Sequence, residues 1–180
     1  MFEVEVKAML KDSAHRTSVE SKLKELGAQK HADESHCDAI YGQAGNFPPK
    51  NGGVIARIRN KNGKIIVGIK EIDRENGGIE LENQVQETKP YHHLLQKIGF
   101  QYFFTIEKSR KKYTLIEDKK TFTIDIDQVK ELGTFIEVEL LVNTEAEKDR
   151  AKAACLKILK DVAPNATITK KKLGDFMAEK

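Results

Sequence analysis

No apolar run in this 180-residue chain approaches the roughly 20 residues that a membrane-spanning helix needs. Cysteine is scarce, and Cys37 and Cys155 stand too far apart for a disulfide framework or a zinc site. An excess of one charge is also missing. The 31 basic and 28 acidic residues leave a net charge of only +3, which argues against a bulk polyanion binder held by a basic surface. The first residues are an acidic alternating stretch, not the basic-then-apolar start of a secretory signal. Solenoid repeats and low-complexity tracts are lacking. These absences predict a cytoplasmic protein of one domain over residues 1–180, long enough to bury a core, with neither nucleic acid nor membrane as partner.

What is present is alternation. In Glu3-Val4-Glu5-Val6-Lys7 the charged side chains share one strand face and the valines the other. Glu3 and Glu5 then stand roughly 7 Å apart, where at an effective dielectric near 20 they repel by about 2 kcal/mol. Water tolerates such a pair, whereas a fold interior needs a cation beside it. The same doubling recurs at Arg57/Arg59, Glu80/Glu82, Lys108/Arg110, Asp125/Asp127 and Glu137/Glu139. Apolar residues occupy the alternate positions in every case but Lys108/Arg110, where Ser109 stands between the cations.

Between these strands the spacing predicts a helix from Asp12 or Ser13 to about Leu26, carrying Val19, Leu23 and Leu26 and stopped by Gly27. A strand near 35–41 leads into a loop from Gly42 to Gly53. Hairpin turns are predicted at Asn62-Gly63 and Asn76-Gly77-Gly78. A second helix runs from Thr88 and Pro90 to Gly99 with Leu94, Leu95 and Ile98 as its stripe. A third opens on a Thr144/Glu147 capping box and reaches about Val162, before Pro164.

Seven amphipathic strands leave two readings open. Their charged faces could meet water, as in many antiparallel sheets. Alternatively the fold is α+β, an antiparallel barrel with a charged lumen and helices packed outside over the apolar faces. The regular doubling of one sign favours the barrel. Its lumen would suit a polyanion and a divalent cation such as Mg²⁺ or Mn²⁺, which prefer oxygen ligands. Alternation sends Lys111 to the face opposite Lys108 and Arg110, and Lys111 and Lys112 read as solvated. Lys170 to Lys172 reads as a solvated run or, for Lys172, a lid. The histidines lack metal spacing.

The ordered set Glu3-x-Glu5-x-Lys7, Arg57-x-Arg59, Lys70, Glu80-x-Glu82, Lys108-x-Arg110, Asp125-x-Asp127 and Glu137-x-Glu139 resembles the motif order of the CYTH superfamily, the triphosphate tunnel metalloenzymes. The resemblance covers nearly the whole chain. Phe104 to Arg110, and Ile126-Asp127 through Leu132-Gly133-x-Phe135-x-Glu137, are most similar to the class IV adenylyl cyclase (CyaB-like) branch. It implies an eight-stranded antiparallel tunnel that binds a triphosphate with Mg²⁺ or Mn²⁺. Glu3, Glu5 and Glu137 are similar to the metal-binding carboxylates. Lys7, Arg57, Arg59, Lys70, Lys108 and Arg110 are similar to the triphosphate-binding cations. Asp127 and Glu139 are companions with a catalytic role, and Glu80, Glu82, Asp125 and Lys172 are additional candidates. The expected reaction is ATP to cyclic AMP plus pyrophosphate. A triphosphatase acting on tripolyphosphate or thiamine triphosphate is the alternative, and a non-catalytic nucleotide or polyphosphate binder is a second. A homodimer is compatible with all three. The family's C-terminal Ser-Tyr reads Lys172-Leu173 here, and the spacing from Asp38 to Tyr41 is one residue longer than the usual Asp-x-Tyr, so both places bear on substrate choice.

Overall fold

The computed structural model describes residues 2–72 and 79–179, and the predicted Asn76-Gly77-Gly78 turn lies outside them. The chain forms two compact units, one of Met1–Asp33 with Ser109–Lys170, the other of Glu34–Lys108 with Lys171–Lys180.

The first unit holds β1 (Phe2–Leu10), α1 (Ser13–Glu25), the two-residue β2 (Gln29–Lys30), β8 (Lys120–Val129), β9 (Gly133–Val142), α3 (Lys148–Val162) and β10 (Thr167–Thr169). It also holds the second half of β7 (Phe100–Glu117). Strand order is β10-β1-β9-β8-β7, with β2 beside β7. The alternating valines of β1 join Ile124 of β8 and Val138 of β9 in one apolar layer. Val19 and Leu23 of α1 and Cys155, Ile158 and Leu159 of α3 cover it. Asp12 caps α1 by accepting the His15 N–H at 2.8 Å. The Thr144/Glu147 capping box forms as expected, opening a short 3₁₀ turn ahead of α3. Leu159 is 1% exposed. Its truncation to Ala is expected to cost about 2–5 kcal/mol of stability, readable as a lowered urea midpoint.

The second unit holds β3 (Glu34–Gln43), β4 (Val54–Lys61), β5 (Lys64–Glu71), β6 (Glu80–Val85), α2 (Lys89–Lys97), the first half of β7 and α4 (Leu173–Ala178). Its order is β7-β3-β4-β5-β6. The Asn62-Gly63 hairpin forms with both residues at positive φ, 50° and 84°, as a tight turn between twisted strands requires. Leu95 of α2 packs on Tyr41, Ala56 and Ile58. The stripe predicted for this helix is narrower than expected. Leu94 and Ile98 are 54% and 60% exposed, because they lie one turn apart on a different face from Leu95, and Tyr91 packs in their place.

The expected antiparallel α+β architecture is therefore observed, with eight long strands and two short ones among the described residues. No described helix is long and apolar enough to cross a membrane.

Candidate functional site

In the first unit, register places chemistry on the strand face opposite the helices. Glu5 of β1 lies opposite Glu139 of β9, which lies opposite Thr123 of β8. One pleat along, Lys7 lies opposite Glu137, and Glu137 opposite Asp125. Three adjacent strands thus present a grid of carboxylates. Ligand atoms of Glu3, Glu5 and Glu139 lie within 4.8 Å of one another, and so do those of Asp125, Glu137 and Glu139. Glu139 belongs to both groups.

The face is largely dry. Asp125 and Asp127 are fully buried, and Glu137 and Lys7 nearly so. Lys7 Nζ meets Glu137 Oε1 at 2.7 Å. Arg110 of β7 donates from Nε and Nη2 to the two oxygens of Asp127, each at 2.6 Å. It also donates from Nη2 to Glu137 Oε2 at 2.9 Å and from Nη1 to Asp125 Oδ2. Lys112 Nζ stands 3.6 Å from Asp125 Oδ1, so this lysine faces the carboxylates instead of being merely solvated. Lys111 points to the opposite face, as alternation requires, and pairs with Glu20 of α1 at 2.7 Å.

Burial, with Glu137, Glu3, Asp125 and Glu5 close by, pushes the Glu139 carboxyl up to about 8. Burial likewise raises Asp125, outweighing the Arg110 and Lys112 charges. For Lys7, burial acts downward, but Glu137 and Glu5 outweigh it and hold the ammonium above its ordinary value.

This donor set fits a hard divalent cation. Asp125 Oδ1 is buried and accepts no hydrogen bond, with only the Lys112 ammonium 3.6 Å away, which leaves its lone pairs open to a closer cation. Its residue also lies in a ligand-spaced triad. All five carboxylates offer oxygen, the donor that Mg²⁺ and Mn²⁺ prefer.

In the second unit the candidate cations are held by acidic partners. Arg59 forms a bidentate pair with Asp38, its cross-strand neighbour, with both contacts at 2.7 Å. Burial opposes ionisation of Asp38, but the Arg59 hydrogen bonds and charge outweigh it and hold the carboxyl below its ordinary value. Arg57 pairs with Glu80 and Glu82, and Lys70 with Glu80 at 3.2 Å. Gly68 lies opposite both Arg57 and Glu82. A Cβ there would come within 2.5 Å of the Leu81 carbonyl oxygen and 2.8 Å of Glu82 Cγ, so the close approach of these strands needs glycine. Lys108 is buried and adds to the positive field at Asp38. Lys172 is the N-cap residue of α4, its backbone N–H bonded to Asp175 at 2.8 Å.

The structure thus gathers Glu3, Glu5, Lys7, Arg110, Asp125, Asp127, Glu137 and Glu139 in one unit. In the other it gathers Arg57, Arg59, Lys70, Glu80 and Glu82. Sequence reasoning missed Asp38 as the partner of Arg59, because nothing in the residue string fixes the register between β3 and β4. It passed over Lys112, although the i, i+2 spacing from Arg110 was a usable signal.

The CYTH domain family model matches residues 1–167. The chain belongs to the CYTH family. A CYTH relative from Methanocaldococcus jannaschii, named "Putative adenylate cyclase", is 28% identical over 163 residues, 89% of each chain. A solved protein of Pyrococcus horikoshii superposes with a TM-score of 0.79 at 26% identity, covering 99% of this chain and 100% of that one. A Hippeastrum protein described as a "putative adenylyl cyclase" that "reveals a dominant" triphosphatase activity superposes with a TM-score of 0.70. The two match over 99% and 96% of their lengths, and at 15% identity that likeness speaks for the fold alone.

Proposed function

We propose that this CYTH protein is a metal-dependent enzyme acting on a triphosphate, with ATP cyclisation to cyclic AMP and pyrophosphate as the leading reaction. The observation that carries the reading is the pair of carboxylate triads sharing Glu139, flanked by Lys7 at 2.7 Å from Glu137. Glu3, Glu5, Glu137 and Glu139, with Asp125, would hold Mg²⁺ or Mn²⁺. When bound, such an ion neutralises phosphate charge and makes a hydroxyl or water a better nucleophile.

The chain's own residues do the rest. Lys7, Arg57, Arg59, Lys70, Lys108 and Arg110 are the cations assigned to phosphate oxygens. Arg57, Arg59 and Lys70 are paired with carboxylates that phosphate oxygens, of the same sign of charge, can replace. In cyclisation the ribose 3′-oxygen bonds to the α-phosphorus, pyrophosphate leaves, and the hydroxyl proton goes to a carboxylate. Asp127 and Glu139 are the two assigned. Both oxygens of Asp127 are held by Arg110, which leaves Glu139 as the better acceptor.

The second reading is a triphosphatase, because one fold can serve both reactions, as the activity described for the Hippeastrum protein of this fold illustrates. A phosphorus NMR time course with Mg²⁺ or Mn²⁺ separates them. Cyclic AMP and pyrophosphate rising together from ATP is the expected result. Orthophosphate released mainly from tripolyphosphate would replace it with the second reading. Silence with both substrates would overturn enzymatic function and leave a binding module.

A further inference from the structure

Lys7, Arg110 and Lys112 all bring positive charge to the carboxylate face, and of these Lys112 is the least firmly held. It lies two residues beyond Arg110 on β7, and its ammonium stands 3.6 Å from Asp125 Oδ1, outside hydrogen-bonding distance. Lys7 meets Glu137 at 2.7 Å, and Arg110 meets Asp127 at 2.6 Å. Those two side chains are 9% and 12% exposed, whereas Lys112 is 32% exposed. The Lys112 contact is therefore Coulombic, at the wet margin of the face, and made by a flexible four-carbon stem.

The atom it faces is the one a metal site needs. Asp125 is fully buried, and its Oδ2 receives the Arg110 guanidinium while Oδ1 accepts no hydrogen bond. Asp125 also belongs to the triad with Glu137 and Glu139, whose ligand atoms lie within 4.8 Å of one another. With Oδ2 bonded to Arg110, Oδ1 is the oxygen left to a cation. A divalent ion and the Lys112 ammonium would repel each other on this one atom, and the lysine is the partner able to withdraw toward water.

Resting on the metal-dependent reading above, we propose that Lys112 is an internal counter-ion of the metal site. It neutralises Asp125, yields Oδ1 to the divalent cation, and then turns its ammonium to the triphosphate. The withdrawn ammonium keeps its charge, and phosphate oxygens are the strong acceptors that arrive beside the ion. Metal and triphosphate thereby strengthen each other's binding, because the energy of displacing Lys112 is offset only when phosphate is present.

The test is a Mn²⁺ titration of substrate-free protein, read by electron paramagnetic resonance. Lys112→Gln is expected to bind Mn²⁺ about tenfold more tightly than wild type, because a unit charge beside a divalent ion is removed. Lys112→Arg keeps the charge and should show no such gain. A residue that only supports the fold would, when lost, weaken Mn²⁺ binding or leave it unchanged. Either result in a Lys112→Gln protein shown by thermal melt to be folded overturns the proposal, and so does an equal gain in Lys112→Arg.

Should the variants not fold, wild-type protein decides. Acetylation of Lys112 by a small active ester, followed by mass spectrometry, should quicken when Mg²⁺ is added and slow again when tripolyphosphate joins it. A rate that Mg²⁺ alone leaves unchanged or lowers overturns the displacement. A rate that stays high with tripolyphosphate overturns the transfer to phosphate. Wild-type protein that binds no Mn²⁺ would defeat the metal-dependent reading and the counter-ion with it, whereas Mn²⁺ binding that Lys112→Gln leaves unaltered defeats the role of Lys112 alone.

Discussion

Glu5→Gln is expected to abolish metal-dependent turnover while leaving the protein as stable as before, or more so. Glu5 shares ligand spacing with Glu3 and Glu139 and lies directly across from Glu139 in the β1–β9 register. Glutamine keeps the shape and removes one negative charge from a face where carboxylates repel. Without metal, that change relieves like-charge repulsion. With metal, it removes a ligand. Loss of even an outer partner costs about 10–100-fold in metal affinity or activity, so the loss of a ligand should reach about a hundredfold or more in rate at fixed Mg²⁺. The two effects move in opposite directions, which sets this variant apart from one that simply misfolds. The check pairs a thermal melt without metal with an initial-rate assay over a range of Mg²⁺. Wild-type rates at low Mg²⁺ would remove Glu5 from the metal site.

The same alternation that made this face visible in the sequence also limits what the sequence can say. Period-2 patterning shows that Glu3, Glu5 and Lys7 share a side, and β1 confirms it with Val4, Val6 and Ala8 buried on the other. The Asn62-Gly63 turn and the Thr144/Glu147 box were legible because each carries its own local stereochemistry. Register is different. It is fixed by packing between strands distant in sequence, so the rows Lys7–Glu137–Asp125 and Glu5–Glu139–Thr123 emerge only in three dimensions. Strand length was equally hidden at β7. Its 18 residues carry no internal turn signal, yet the alternation reads clearly only around Lys108 to Lys112. The pairing of Arg59 with Asp38 depends on register and was unreadable for the same reason, whereas the spacing of Lys112 from Arg110 gave its face but not its partner Asp125.

The carboxylate grid has a thermodynamic consequence with a definite sign. Burial and the surrounding Glu137, Glu3, Asp125 and Glu5 push Glu139 up to about 8 in the folded protein. In the unfolded chain a glutamate titrates at about 4.3. Between these values the native state keeps a proton that the unfolded state has released, so stability from this group falls as pH rises through the window. Asp125, also raised by burial, acts in the same direction above its unfolded value. Asp38, Glu20 and Glu34 are shifted down in the folded protein. Their contribution is already complete above the ordinary carboxylate range and is lost only in acid. Lys7 and Arg110, raised in the fold, lose theirs only at high pH. The expected result for metal-free protein is therefore a melting temperature that declines from about pH 5 to about pH 8, by a free energy on the order of a few kcal/mol. A divalent cation replaces the proton and reverses the decline, so stabilisation by Mg²⁺ or Mn²⁺ should be larger at pH 8 than at pH 5.5. Glu139→Gln should flatten the metal-free pH dependence and shrink the metal effect together. A melting temperature that rises steadily toward pH 8 without metal, in wild type and variant alike, would mean that the carboxylates of β1, β8 and β9 are not repelling one another in solution.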